Sequence, residues 1–315
     1  MSNRKLKRAL AVVGEGEAAR VWRRAATRAR GWRFVEDASL AEAVVIATSG
    51  GAGHDRARAA VVAGRHVLTA TPFIAGADAL RELAIEADAA GVKLACSFPV
   101  RCAGPVRDAR RILAAWTVGP VRRLRVVCGE FGDDRADAAT HACDLIRLFL
   151  GEVVAIDVER EEAPRLRLNS SEIAVFRDFL GVEAHLEVDR SRPRGATRLI
   201  VTGATGDVEV ELEARRQELS ARLDDGTRIA RHYASRRLEA TISAAFAVER
   251  ACRGELEALR GRLDGEPHAG ASAWDGVRAL ELAESVVDPR RAPQFNRRVG
   301  TPRRAFVATP GALAS

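Results

Sequence analysis

Apolar segments of strand length alternate with amphipathic stretches along the first part of the chain. Residues 8–13, "RALAVV", and 43–50, "AVVIATSG", are almost wholly apolar, which is typical of strands buried on both faces of a sheet. Shorter apolar runs lie at "WRFVED", between these two segments, and at "HVLT" and "VKLACSF" after them. Helical periodicity lies between them, as in "GADALRELAIEADAAG" at 76–91, which ends at a glycine. This alternation predicts an α/β fold with a parallel, doubly wound sheet.

The pattern changes after about residue 118. "GPVRRLRVVCGEF" predicts a strand, and "DAATHACDLIRLFLG" at 137–151 predicts a helix. From 171 to about 233, alternating segments separated by turns predict a mainly antiparallel open sheet, and helical periodicity returns at about 236–263 and 272–286. We therefore predict a dinucleotide-binding domain at 1–118, an α+β substrate and oligomerisation domain at 119–288, and an Arg/Pro-rich arm at 289–315.

Composition narrows the class of protein. The net charge is +7, but 47 of the 50 basic residues are arginines spread among 43 acids, which favours a genome-wide codon preference over a nucleic-acid surface. Apolar runs are far shorter than the roughly 20 residues of a membrane span. We expect a cytoplasmic protein without nucleic-acid or membrane partners. Five cysteines with no C-x-x-C pair predict free thiols and argue against a disulfide scaffold or a structural zinc site.

A glycine pattern, Gly14-x-Gly16-x-x-Ala19, follows the first predicted strand and precedes the first predicted helix. Glycines allow a tight turn and the close approach of a pyrophosphate, and a small third residue lets the helix pack on the strand. Glu15 and Glu17 would repel an anion there unless they point to solvent. A tight turn without a ligand is the alternative.

A dinucleotide fold also places an acid about 20 residues beyond the glycines to hold the ribose, and Asp37 lies at that distance. Only residues 38–42 separate Asp37 from the next strand, whereas a parallel crossover usually takes about a dozen or more residues. Either "WRFVED" is the second strand with a short return, or one strand–helix unit is missing.

Asp137, His141 and Asp144 have spacings of four and three, which places all three on one face of a helix. A carboxylate beside an imidazole orients it and supports its protonated form, which suits acid–base catalysis. A metal site with Cys143 would also fit, and so would a solvated or capping network without chemistry.

Several motifs in the same order resemble the Gfo/Idh/MocA oxidoreductase family, the group of glucose–fructose oxidoreductase, inositol dehydrogenase and rhizopine catabolism. They are "AEAVVIATSGGAGHDRARAAVVAGRHVL", "GVKLACSFPVRCAGPVRDARRIL", "DAATHACDLIRLFLG", "VTGATGDVEVEL" and "WDGVRALELAESVVD". The resemblance covers most of the chain. It implies NAD or NADP as cofactor, a sugar, cyclitol or related small molecule as substrate, and a homo-oligomer, either a dimer or a tetramer.

The resemblance also implies roles for individual residues. Asp137 and His141 match the positions that hold and deprotonate the substrate hydroxyl, and Arg101 and Asp144 are expected to bind substrate. The expected cofactor contacts are Gly14, Gly16, Ala19, Asp37, Thr48, Ser49, His54 and Pro72.

The chain departs from that family after the strand "HVLT". Ala70-Thr71-Pro72 stands where the family commonly has Glu-Lys-Pro, whose lysine contacts cofactor and substrate. Thr71 is predicted to supply only a hydroxyl hydrogen bond. Two hypotheses follow: an NAD(P)-dependent oxidoreductase with an altered site, or a non-redox relative that serves as a ligand-binding, regulatory or partner subunit.

Overall fold

Two separate β-sheets organise the chain. The computed structural model describes residues 7–70, 76–129, 135–158, 170–193, 195–213, 216–233, 240–288 and 290, and gives the backbone alone for 135, 170–173 and 240–247.

The first sheet contains five parallel strands, as the apolar alternation predicts. They are β1 (Arg8–Val13), β2 (Trp32–Phe34), β3 (Ala43–Ile46), β4 (His66–Thr69) and β5 (Leu94–Cys96), in the order β5-β4-β3-β1-β2. The helices that connect them are α1 (Gly16–Arg28), α2 (Gly50–Val62) and α3 (Ala77–Ala89). One apolar cluster joins Leu10 and Val45 to α1, and a second joins Val44 and Val67 to α2 and α3. Both faces of the sheet are therefore buried.

The return from β2 to β3 is unusually short. It holds one 3-10 turn, Ala38–Leu40, and no crossover helix. Leu10 of β1 pairs with Phe34 on one side and with Ala43 on the other, so β2 and β3 flank β1 directly. A doubly wound sheet of the usual order has a further strand and helix at this point. Of the two alternatives that the sequence left open, the structure shows the first: "WRFVED" contributes the second strand, and its return to β3 is short, so residues 35–42 hold no further strand or crossover helix.

The second sheet has eight strands and is mainly antiparallel. They are β6 (Val121–Cys128), β7 (Ala155–Asp157), β8 (Ser170–Arg177), β9 (Glu183–Asp189), β10 (Thr197–Gly203), β11 (Gly206–Leu212), β12 (Gln217–Leu223) and β13 (Arg228–His232). Their order is β13-β12-β11-β10-β6-β9-β8-β7, and only the β6–β9 pair is parallel. The helices α4 (Pro99–Cys102) and α5 (Gly104–Ala114) link the two sheets, and α6 (Arg135–Leu150) connects β6 to β7.

The two faces of the second sheet differ in chemistry. Apolar residues such as Leu124, Leu186 and Leu199 are buried against α5 and α6. The opposite face carries ion pairs between neighbouring strands, including Arg125 with Glu187 at 2.7 Å. This alternation of apolar and charged positions is what a sheet covered on one face requires.

The C-terminal elements return to the first sheet, although the sequence places them in the second domain. They are α7 (Ala240–Leu263), β14 (Ala271–Ser272) and α8 (Ala273–Val287). β14 pairs antiparallel with β5, and α7 packs on α1 and α4. The indole Nε1 of Trp32 donates a hydrogen bond of 2.8 Å to the Leu256 carbonyl in a buried setting. The span 119–288 is therefore not confined to the second sheet, because its last part completes the first one.

All five cysteines are free thiols, and four of them are buried. Within the described ranges, no helix is both long and apolar enough to cross a membrane.

Candidate active site

A tight turn joins β1 to α1 and carries the glycine pattern. Gly14 and Gly16 have φ angles of 139° and 79°, in the left-handed region that favours glycine. A Cβ on Gly14 would lie 2.5 Å from the Ala47 carbonyl oxygen, so the turn touches the end of β3. Ala19, in the first turn of α1, is fully buried. A Cβ on Gly16 would meet no described atom within 4 Å, so the turn is open on that side.

Both acids of this turn, Glu15 and Glu17, are exposed to solvent. Glu17 is exposed and forms ion pairs with Arg20 at 2.7 Å and with Arg24 at 3.6 Å. A hydrogen bond from Arg20, together with its charge, lowers the pKa of Glu17. Arg23 donates a hydrogen bond of 2.8 Å from Nη2 to the Gly14 carbonyl. The carboxylate of Glu17 is thus balanced, and Arg23 adds a positive charge that sequence reasoning missed.

The loop between β3 and α2 lies beside the glycine turn. Arg56 Nη1 donates a hydrogen bond of 2.6 Å to Thr48 Oγ1, and Ser49 precedes α2 as its exposed N-cap. A Cβ on Gly53 would lie 2.1 Å from the Thr48 carbonyl oxygen, so only glycine fits there. His54 Nδ1 is buried and has no hydrogen-bond partner in the part of the chain that is described. Thr48 and Ser49 therefore stand where the sequence places them, at the carboxyl end of β3.

Asp37 lies three residues beyond the end of β2, on the same edge of the sheet as the glycine turn. Its carboxylate accepts a hydrogen bond of 2.7 Å from the Ser39 backbone N–H and so caps the 3-10 turn. Hydrogen bonds from Ser39 also lower the pKa of Asp37. The carboxylate is ionised and exposed, and its predicted contact with a ribose stays a prediction.

Two predicted site residues, Thr71 and Pro72, lie outside the described residues. The description stops at Ala70, which is buried one residue beyond β4.

His141 lies on α6 with its side chain 26% exposed. Its Nε2 is 3.8 Å from Asp137 Oδ1, one helical turn earlier. The ring packs edge-on against Phe98, with centroids 5.5 Å apart and an interplanar angle of 86°. Burial lowers the pKa of His141, although the Asp144 charge partly opposes this. The imidazole is therefore neutral at neutral pH and able to accept a proton.

Arg101 and Asp144, the two residues expected to bind substrate, form a buried ion pair. Their side chains are 7% and 2% exposed, and Arg101 binds both carboxylate oxygens of Asp144, through Nε at 2.8 Å and Nη2 at 2.5 Å. Arg101 also lies 3.5 Å from Asp275 Oδ1, and its guanidinium lies 5.7 Å from the centre of the Phe98 ring. The two groups balance each other's charge and join α4 to α6, and their predicted contact with substrate stays a prediction.

Glu255 is a buried carboxylate that the sequence did not single out. It accepts hydrogen bonds from Ser97 Oγ at 2.6 Å and from the Phe98 backbone N–H at 2.5 Å. Burial raises the pKa of Glu255 to about 8. It therefore ties α7 to the loop whose phenylalanine packs on His141. The only signal in the sequence is an acid on the apolar face of a helix.

Cys143, considered above as a metal ligand beside His141, is fully buried in the apolar cluster of the second sheet. Burial raises the pKa of its thiol, which therefore stays protonated. Cys143 is therefore unsuited to be the thiolate ligand of the metal site considered above.

The topology brings the two halves of the site to one edge. The carboxyl ends of parallel strands share an edge, so Gly14 after β1, Thr48 after β3, Ala70 after β4 and Ser97 after β5 lie along it. Phe98 follows Ser97 directly and contacts His141. His141 therefore stands at the edge of the sheet where ligands of doubly wound folds bind.

No known sequence family matches the chain, and no curated protein matches it either. Solved structures do match in fold. An oxidoreductase from Agrobacterium radiobacter in complex with NAD+, L-tartaric acid and magnesium has a TM-score of 0.71 at 15% identity, covering 90% of this chain and 97% of that chain. UDP-N-acetylglucosamine 3-dehydrogenase from Acidithiobacillus ferrooxidans has a TM-score of 0.67 at 19% identity, covering 89% and 97%. Levoglucosan dehydrogenase in complex with NADH and levoglucosan has a TM-score of 0.68 at 14% identity, covering 91% and 100%.

These similarities extend over both sheets and nearly the full length of each chain. At identities below a fifth, they establish the fold of this chain. They agree with the architecture predicted from the sequence, a Rossmann-type sheet followed by a mainly antiparallel one.

Proposed function

We propose that this chain is an NAD(P)-dependent oxidoreductase of the Gfo/Idh/MocA type. It would act on a hydroxyl or carbonyl group of a sugar, cyclitol or related small molecule. The observation that carries the proposal is the placement of His141, a neutral and mostly buried imidazole, at the carboxyl edge of a dinucleotide-type sheet.

The residues along that edge fit a dinucleotide. The open side of Gly16 and the N-terminus of α1 would receive the pyrophosphate, because backbone N–H groups and a helix dipole favour an anion there. Arg23 and Arg56 add positive charge on either side. Thr48, Ser49 and His54 would line the nicotinamide half, and Asp37 would hold the ribose. When bound, the nicotinamide accepts or donates the hydride.

His141 and Asp137 would hold the reacting oxygen. The distance of 3.8 Å between Nε2 and Oδ1 is too long for a hydrogen bond between them. A hydroxyl oxygen at about 2.8 Å from each atom would bridge that gap. In oxidation His141 would accept the hydroxyl proton, and in reduction the protonated ring would return it.

Two buried carboxylates hold the elements that carry and contact His141. Asp144, neutralised by Arg101, fixes the inner side of α6, and Glu255 fixes the loop that carries Phe98. Both act through other groups, so they are positioning residues for His141.

The cofactor site is tested by a pair of matched glycine variants. Gly16→Ala and Gly64→Ala both place a methyl group at a left-handed φ, 79° and 71°, with no described neighbour within 4 Å. Their backbone cost is therefore similar, about 1 kcal/mol. Only Gly16 lies at the proposed pyrophosphate site. Gly16→Ala should weaken NADH or NADPH binding about tenfold in fluorescence titrations, while Gly64→Ala should leave it unchanged. Equal effects of the two variants would refute the assigned site.

The acid–base role is tested with His141→Asn. We expect turnover of a polyol or sugar panel, followed by the absorbance of reduced nicotinamide, to fall by about 10²–10⁴-fold. Cofactor affinity should stay within about a factor of two, because His141 lies on α6 and packs on Phe98, away from the glycine turn. A variant that loses affinity and turnover equally would remove His141 from that role.

A non-redox ligand-binding, regulatory or partner subunit is the second candidate. The 3-10 turn in place of a strand–helix unit favours it, as does Thr71 in place of the lysine of the resembled family. Failure of both NADH and NADPH to raise the melting temperature at millimolar concentration would support this candidate over the first.

The proposal includes a homo-oligomer formed through the charged face of the second sheet. Sedimentation velocity at low and high salt tests this proposal. Salt screens the charges of that face, such as those of Arg198 and Glu209, so the oligomer should be weaker at high salt.

A further inference from the structure

A cavity of about 560 Å³ lies at the end of α1 that is remote from the glycine turn. It is enclosed by the last turn of α1, the start of α5, Tyr233 after β13, and the middle of α7. Its lining residues are Arg28, Arg30, Cys102, Gly104, Arg107, Asp108, Arg111, Tyr233, Arg250, Arg253, Gly254 and Glu257.

Arginine is strongly concentrated in this lining. Half of the twelve residues are arginines, whereas arginine makes up 47 of the 315 residues of the chain. The side chains of four of them, Arg30, Arg107, Arg250 and Arg253, have no ion pair or hydrogen bond with any described residue. The lining therefore contains four guanidinium groups that form no ion pair with a described carboxylate.

The lining holds two acids against six arginines, so its net charge is positive. Asp108 is held by three partners, Arg111 at 3.0 Å, Arg231 at 2.5 Å and the Tyr233 hydroxyl at 2.5 Å. The hydrogen bond from Tyr233 is the largest influence that lowers the pKa of Asp108. Glu257, the other acid, is exposed.

The walls of the cavity are closely fitted. A Cβ on Gly104 would lie 2.5 Å from the Tyr233 ring, and one on Gly254 would lie 2.9 Å from the Cys102 Cβ. These contacts fix Tyr233 and α7 against α4 and α5. The cavity is thus formed by helices packed at glycine contacts, and its volume lies in the range of small-molecule sites, about 300–1,000 Å³.

We propose that this cavity binds a phosphorylated small molecule with more than one negative charge. Guanidinium groups match phosphate oxygens with two parallel hydrogen bonds, and four free ones can hold two phosphate groups. The concave shape favours a small ligand over a long polyanion, which would need an extended surface. α1 has 13 residues, so the cavity lies about 20 Å along its axis from the glycine turn. The site is therefore separate from the one proposed for the dinucleotide.

Calorimetric titration of the full chain with tripolyphosphate at constant ionic strength tests this proposal. We expect saturable binding of one tripolyphosphate per chain. Arg107→Gln combined with Arg253→Gln should weaken it at least tenfold. The control is Arg110→Gln combined with Arg122→Gln, which removes the same charge from exposed positions outside the cavity. The control should bind tripolyphosphate like the unmodified chain, and melting curves should show all three proteins folded.

Three results would overturn the proposal. Absence of saturable binding is the first. The second is equal weakening in both double variants, above all if RNA binds as well, because the arginines would then act as a diffuse polyanion surface. The third is loss of tripolyphosphate binding in Gly16→Ala with retention in the cavity variant, which would assign the binding to the glycine turn.

Discussion

Replacing Glu255 with glutamine should change how the stability of the protein depends on pH. The carboxylate lies between α7 and the loop after β5, where it accepts hydrogen bonds from Ser97 and Phe98. Glu255 is 3% exposed, and burial raises the pKa of its carboxyl group from 4.5 to about 8. Between these two values the folded chain keeps a proton on Glu255 that the unfolded chain has released.

The sign of the effect follows from that difference. Because the folded state binds more protons, the free energy of unfolding falls as the pH rises, by about 1.4 kcal/mol per unit in the middle of the interval. The slope flattens as the pH approaches the folded pKa. From pH 6 to pH 8 the loss due to Glu255 is about 2 kcal/mol. Glutamine does not titrate, so the variant should lack this slope.

Urea denaturation at several pH values from about 6 to 8 measures the effect. The stability of Glu255→Gln minus that of the unmodified chain should rise by about 2 kcal/mol across the interval, whatever its value at pH 6. Groups that titrate in both proteins cancel in this difference. Glu257→Gln, which removes a carboxylate from an exposed position on the same helix, is the matched control. A flat difference for Glu255→Gln would refute the raised pKa.

Two further substitutions test the supports of the site. Arg101→Met leaves the Asp144 carboxylate buried without its partner, and should lower the free energy of unfolding in urea by about 3–5 kcal/mol. Adding Asp144→Leu should restore most of this loss, and a double variant as unstable as Arg101→Met alone would contradict the reasoning. Gly53→Ala would press a methyl group against the Thr48 carbonyl and should lower both the melting temperature and cofactor affinity, whereas Gly51→Ala, in the same helix with no described neighbour within 4 Å, should lower neither.

Local patterns in the sequence predicted most of the first sheet. β1 coincides with the apolar run at 8–13, and the short interval after Asp37 correctly indicated an unusual connection, since β2 returns to β3 through a single 3-10 turn. β14 escaped prediction because two residues carry no periodicity. Its pairing with β5 depends on contacts between distant parts of the chain, which no local pattern encodes.

The site shows the same limit. The helical spacing correctly placed Asp137 and His141 one turn apart on α6. It did not reveal that Asp144 pairs with Arg101, 43 residues away, or that Glu255 holds Ser97 across 158 residues. Such partners are brought together by tertiary packing, and spacing along one helix is uninformative about them.

Burial separates the interpretations that the helix spacing left open. A solvated network would leave all three side chains in water, yet Asp144 is 2% exposed and neutralised by Arg101. A metal site would need a further ligand, yet Cys143 lies in the apolar cluster with a protonated thiol. What remains is an imidazole kept neutral by burial, with its Nε2 beside Asp137, at the edge of the sheet where ligands bind. That combination suits a group that takes and returns a proton, and it favours the oxidoreductase proposal over a catalytically inert relative.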